Sequence, residues 1–172
     1  MKYIPYIIIA SVAILLLIYI FIIRPIQIKK LISQKVLSYF NNIGYIEIKH
    51  NKISDLVLEK EGEKIYFKYL MIPSNSQITI NCKEKWRLSW GGSSAKVGRA
   101  YPNNRYITEI EDFAATTLDG KKIIIVYYST EHILKYINEC ELENIDITKN
   151  TYDYKIVCFN KFEEEIPYCI NK

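Results

Sequence analysis

From Ile4 to Ile23 the chain reads IPYIIIASVAILLLIYIFII, a run without a single charge. A helix of about 20 apolar residues crosses a hydrocarbon core of roughly 30 Å. The run has no polar stripe of the kind a soluble amphipathic helix carries. It leads into Arg24-Pro25-Ile26-Gln27-Ile28-Lys29-Lys30 without a small-x-small cleavage site. The pattern predicts an uncleaved transmembrane anchor over residues 1–25, followed by one domain over residues 26–172.

Beyond the anchor the hydrophobic period changes. Ile28, Leu31, Ile32, Val36, Tyr39 and Phe40 recur at helical spacing and predict an amphipathic helix over 26–40, stopped by Asn41-Asn42-Ile43-Gly44. Three strand-like runs follow, at 44–49, 54–59 and 64–70, the last two joined by a turn at Glu61-Gly62. The segments 77–81 and 85–90 bracket Cys82-Lys83-Glu84 and predict a hairpin, followed by a loop at Gly91-Gly92-Ser93-Ser94. Tyr106, Ile107, Ile110, Phe113, Ala114 and Leu118 predict a helix ended by Gly120. Lys122 to Tyr128 is almost wholly apolar and predicts a central strand. A second helix from Ser129 or Thr130 to Cys140 and two weak strands, 144–148 and 154–159, complete the series. The expected class is α/β (α+β), a single αβββαβ domain with an inserted hairpin behind a transmembrane helix.

Charge then sets the expected orientation. Lys2 stands alone before the anchor, whereas Arg24, Lys29, Lys30 and Lys35 follow it closely. The positive-inside rule places the domain on the cytoplasmic face of the cell membrane. Cys82, Cys140, Cys158 and Cys169 show no disulfide-framework spacing, in keeping with a reducing compartment. From Arg24 to Ala100 there are 14 Lys and Arg against 6 Asp and Glu; from Tyr101 onward there are 8 against 13. The basic half invites anionic headgroups. It also interleaves cations with rings, and Lys83, Lys85, Trp86, Arg87, Lys96, Arg99 and Arg105 make a candidate nucleic-acid surface.

For catalysis the informative residues are Asp55 and Lys68. Asp55 opens the second strand; Tyr66 and Lys68 share one face of the third, while Ile65, Phe67 and Tyr69 take the other. This is the geometry of a D…(D/E)-x-K metal site, with Tyr66 where the second carboxylate belongs. Such a site uses Mg²⁺ to polarise a phosphate and activate water. Glu47-Ile48-Lys49 spells E-x-K but has no Asp upstream. His50 and His132 have no nucleophile at recognisable spacing. The glycines near 91–98 do not form a phosphate-binding loop, and Lys121-Lys122 and Glu163-Glu164-Glu165 read as solvated charge runs.

Taken in order, these pieces resemble the nuclease-related domain family of the restriction-endonuclease-like fold, over roughly Ser33 to Ile147. Ser33-Gln34-Lys35-Val36-Leu37 falls where the family has Gly-Glu before apolar positions. Asp55-Leu56-Val57-Leu58 matches its Asp-plus-apolar strand, and Ile65-Tyr66-Phe67-Lys68 falls on its E-x-K strand. Ile78 through Trp86 resembles the stretch that runs to a Trp. Tyr101-Pro102-Asn103-Asn104-Arg105 resembles its Asn-Pro…Gln segment. The resemblance implies a nuclease fold. The replacements Gln34 and Tyr66 imply a degenerate site with Asp55 and Lys68 as its remnants, because neither an amide nor a phenol replaces a carboxylate on Mg²⁺. The expected role is binding of nucleic acid or a protein partner at the membrane, with no small-molecule cofactor. The alternatives are an active Mg²⁺-dependent nuclease using Asp55 as metal ligand, and a membrane-tethered interaction module unrelated to nucleases.

Overall fold

The computed structural model describes residues 4–49, 51–92, 101–128, 130, 132–138, 141–147 and 151–170. It divides into two compact units, Met1–Ile43 and Gly44–Lys172. The first is helical. Helix α1 (Ile4–Ile18) passes through a π-helical turn, Tyr19–Ile23, into α2 (Arg24–Asn41), with Pro25 in the first turn of α2. Proline is tolerated there because the first-turn N–H groups need no intrahelical partner. The helix is long and apolar enough to cross a membrane, with mean hydropathy 2.5 in its most apolar stretch. In α2 the period is amphipathic, and Ile32, Val36 and Phe40 form a buried stripe. The helix runs on without a break through residue 25.

Among the described residues the second unit has ten strands. In chain order they are β1 (Ile46–Ile48), β2 (Leu56–Lys60), β3 (Glu63–Met71), β4 (Ser76–Ile80), β5 (Trp86–Trp90), β6 (Asn103–Ile107), β7 (Lys121–Tyr127), β8 (Ile133–Tyr136), β9 (Leu142–Asn144) and β10 (Tyr154–Cys158). They form two five-stranded sheets, ordered β1-β2-β3-β7-β10 and β6-β5-β4-β8-β9. In the first sheet β1, β2 and β3 are an antiparallel meander, and β7 and β10 add in parallel to β3. The Glu61-Gly62 turn has both residues at positive φ, 52° and 87°, which matches a two-residue hairpin whose twist suits the strands. Gly120 enters β7 where a Cβ would lie 2.2 Å from the Lys64 carbonyl oxygen, so no larger residue fits.

The meander, the 77–90 hairpin and the central position of the 122–128 strand agree with the sequence reading. Two predicted helices do not form as expected. The segment from 103 to 118 gives strand β6 and then only the short α3 (Glu111–Ala115). Its apolar positions serve two elements: Ile107 faces the core from a strand, and Ile110, Phe113 and Ala114 from the short helix and its N-cap. The expected helix up to Cys140 is replaced by β8, which pairs in parallel with β4; Ser129, Glu131, Glu139 and Cys140 lie outside the described residues. The inserted hairpin is thus the centre of a second sheet. Two short helices, α4 (Phe162–Glu165) and α5 (Pro167–Ile170), close the unit.

The core lies between the sheets. Val57, Tyr66, Leu70, Ile124, Val126 and Ile156 from the first meet Ile78, Ile80, Trp86, Leu88 and Ile107 from the second. Each large apolar side chain so buried contributes roughly 1.5–3 kcal/mol. One cation sits among them. Lys122, read from the sequence as part of a solvated run, is 3% exposed. It occupies the same face of β7 as Ile124 and Val126, because alternate residues share a face. Its ammonium donates to the carbonyls of Ala114 and Thr116, both at 2.9 Å, and pairs with Asp153 at 3.2 Å. Asp153 also pairs with Lys83 of the β4–β5 turn at 3.0 Å. The Tyr154 hydroxyl donates to the Lys83 carbonyl at 2.9 Å, and the Trp86 indole donates to that hydroxyl at 3.2 Å. Burial holds the Lys122 ammonium below the ordinary lysine range, against the opposing pull of Asp153.

Lys122→Met is expected to destabilise the fold by about 2–4 kcal/mol in urea unfolding, because it strands two carbonyls and half of a paired carboxylate. The pH profile gives the sign. A lysine whose folded pKa is depressed leaves the unfolded chain binding the extra proton between that pKa and the ordinary 10.5, so stability rises with pH across that interval. The Lys122→Met profile should lack this rise.

Candidate functional site

Asp55 stands one residue before β2, and its N–H donates to the Phe67 carbonyl at 2.8 Å, which continues the β2–β3 ladder. The register Val57↔Tyr66 and Leu56↔Phe67 sets Asp55 opposite Lys68 on the face that carries Tyr66. The two groups meet: Lys68 Nζ lies 3.8 Å from Asp55 Oδ2, with side chains 17% and 14% exposed. The same oxygen accepts the Tyr69 backbone N–H at 2.9 Å. The carboxylate is thus anchored by the backbone of β3 as well as by the ammonium.

Tyr66, at the second motif position, is turned elsewhere. Its hydroxyl donates to Asp119, whose carboxylate also pairs with Lys64 at 2.6 Å. Lys64 is two residues before Tyr66, away from the Lys68 end of β3. Burial, reinforced by Asp119, raises the Tyr66 pKa, and the hydrogen bonds from Lys64 and Tyr66 lower that of Asp119. Tyr66 therefore helps build the inter-sheet core and pins a loop; it adds no ligand beside Asp55. Gln34 lies on the exposed face of α2 in the first unit. Among the described residues, no group of three or more His, Cys, Asp or Glu is arranged to hold a metal ion.

The predicted nucleic-acid residues are scattered. Lys85 and Arg87 are exposed. Trp86 between them is fully buried, its indole nitrogen also donating to the Lys83 carbonyl at 3.3 Å. This corrects its expected role as a stacking ring: strand alternation sends it inward while its neighbours point out. Lys83 is committed to Asp153. Arg105 makes a two-pronged pair with Glu109, its terminal nitrogens 3.0 and 2.6 Å from the carboxylate oxygens. Lys96 and Arg99 lie outside the described residues.

Sequence reasoning missed Lys122 and Asp153. The signal available was the lysine's place in the most apolar strand of the chain. It also missed Glu165, the last of the three glutamates read as a solvated run. Glu163 and Glu164 are exposed, whereas Glu165 is half-buried and accepts the Cys158 backbone N–H at 2.9 Å.

Comparison with known proteins adds no relative: no family model, no curated protein and no solved structure matches the chain.

Asp55→Ala is expected to lower stability by about 1–2 kcal/mol, because it removes a charged acceptor from the Tyr69 amide, whereas Lys68→Ala should cost less than about 1 kcal/mol. Urea denaturation of the two variants measures the difference. Equal effects would mean that the backbone bond is not what holds the carboxylate.

Proposed function

We propose that the second unit is a nuclease-related domain of restriction-endonuclease-like ancestry. In this reading it is held at the cytoplasmic membrane face by the apolar helix, has lost metal-dependent cleavage, and acts by binding nucleic acid or a protein partner. One observation carries the reading: Asp55 and Lys68 converge at 3.8 Å on neighbouring strands, while Tyr66, at the remaining motif position, is bonded to Asp119 instead. The succession of α2, the β1–β3 meander, α3 and β7 supports the αβββαβ ancestry. The loss of cleavage follows from charge. A lone carboxylate already satisfied by an ammonium and an amide supplies too little negative charge to hold Mg²⁺ beside a phosphate.

A second reading, an interaction module without nuclease ancestry, is favoured by the connections. Among the described residues the chain passes from β3 to β7, and from β7 to β10, by way of a second sheet and not through long crossover helices.

Full-length protein in detergent, incubated with Mg²⁺ and plasmid or single-stranded DNA or RNA, is expected to leave every substrate intact. Cleavage that disappears in Asp55→Ala and in Lys68→Ala would establish the active-nuclease alternative. Retention of nucleic acid that falls at least about tenfold in the Lys85→Glu/Arg87→Glu double variant, and falls steeply with salt, would select nucleic acid over a protein partner.

The orientation has its own test. Cys82 is exposed, and Cys158 and Cys169 are buried. A membrane-impermeant thiol reagent applied to intact cells should leave Cys82 unlabelled until the membrane is opened. Labelling from outside would reverse the topology.

A further inference from the structure

A cavity of about 590 Å³ opens beside the carboxyl end of β10, in the second unit. Its volume falls within the range of small-molecule sites. The nuclease-like pair plays no part in it, since neither Asp55 nor Lys68 lines it. Ile133, Ile145 and Ile156 supply apolar wall, and His132 lines it as well.

The charged part of the lining comprises Asp146, Lys161 and Glu165. Lys161 and Glu165 both line the cavity. They are four residues apart in the chain, Lys161 at the end of the 3-10 turn Phe159–Lys161 and Glu165 at the end of α4, and both reach the same cavity. Their charges attract one another, but no ion pair within 4.0 Å joins them. Among the described residues the Lys161 ammonium has no hydrogen-bond or ion-pair partner, and the Glu165 carboxylate accepts the Cys158 N–H on Oε2. Desolvation raises the Glu165 pKa, so a cation placed against it would be favoured. Two opposite charges thus stand unbridged on one wall of a cavity whose other walls are partly branched-chain aliphatic.

We propose that this cavity binds a small aliphatic zwitterion, a free branched-chain α-amino acid. Lys161 takes the ligand carboxylate, Glu165 takes its ammonium, and Ile133, Ile145 and Ile156 cover its side chain. Burial of the aliphatic group supplies most of the favourable term, and the two charge-assisted contacts supply orientation and selectivity. No covalent step is involved.

The test is isothermal titration of the full-length protein in phosphatidylcholine nanodiscs with L-isoleucine, N-acetyl-L-isoleucine and L-isoleucinamide. Saturable binding of L-isoleucine is expected with a dissociation constant of about 1 mM or tighter, weakened at least about tenfold for each blocked form. Glu165→Gln, which keeps an acceptor for the Cys158 amide, and Lys161→Ala should each cause a similar loss. Ile145→Trp, which fills the space, should abolish binding. Absence of saturable binding, or equal binding of free and blocked forms, overturns the proposal. If a variant fails to fold, the blocked-ligand comparison on the unaltered protein decides alone. Because no step concerns cleavage, this result stands apart from that of the nuclease assay.

Discussion

The second unit depends on a buried ammonium. Lys122 sits in the central part of the first sheet, on the face turned toward the second, and could not remain charged there without compensation. Its three partners come from different places in the chain. The Ala114 and Thr116 carbonyls close the end of α3, and Asp153 stands just ahead of β10. Asp153 then reaches Lys83, which belongs to the turn of the second sheet. One carboxylate shared by two ammonium groups therefore fixes the register in which the two sheets face each other. The Phe113 and Tyr154 rings lie 5.3 and 5.8 Å from the Lys122 nitrogen and add their own attraction for the cation.

With the sheets tied at that point, the rest of the core follows by alternation. The strand faces that meet are aliphatic and aromatic, and Trp86 fills the space near Tyr154, their ring centroids 5.6 Å apart. The same alternation divides the basic stretch of the β4–β5 hairpin. Trp86 and Leu88 go inward; Lys85 and Arg87 stay in solvent. A cluster that looks like one mixed surface along the chain is in fact two surfaces with different tasks.

The Asp55–Lys68 pair and the cavity beside β10 illustrate two ways of treating charge. In the first, the carboxylate is satisfied from two sides, by an ammonium and by an amide of β3. Such a group contributes to stability and has little left to offer a ligand. In the second, Lys161 and Glu165 share a wall and remain unbridged. The contrast is why the structure directs attention to β10 and α4 for small-molecule binding, although the sequence motif pointed to β2 and β3.

Much of the first sheet was legible in the chain. Period-two patterns marked β1 to β3, the Glu61-Gly62 turn joined two of them, and the apolar run after Gly120 marked β7, because each is a local property of neighbouring residues. The convergence of Asp55 and Lys68 was legible too, since cross-strand register in a short hairpin leaves little choice. The second sheet was not. Tyr106 to Leu118 satisfies a helical period as well as it satisfies a strand followed by one helical turn, and only pairing with Trp86 and its neighbours in β5 decides for β6. The fates of Lys122, Trp86 and Glu165 were likewise set by partners far away in sequence. A charge or an indole carries no local mark of its burial. The sequence alone determined which segments are apolar and at what period, and tertiary structure decided which polar groups those segments would enclose, because burial of a charge depends on carbonyls and carboxylates brought from elsewhere in the chain.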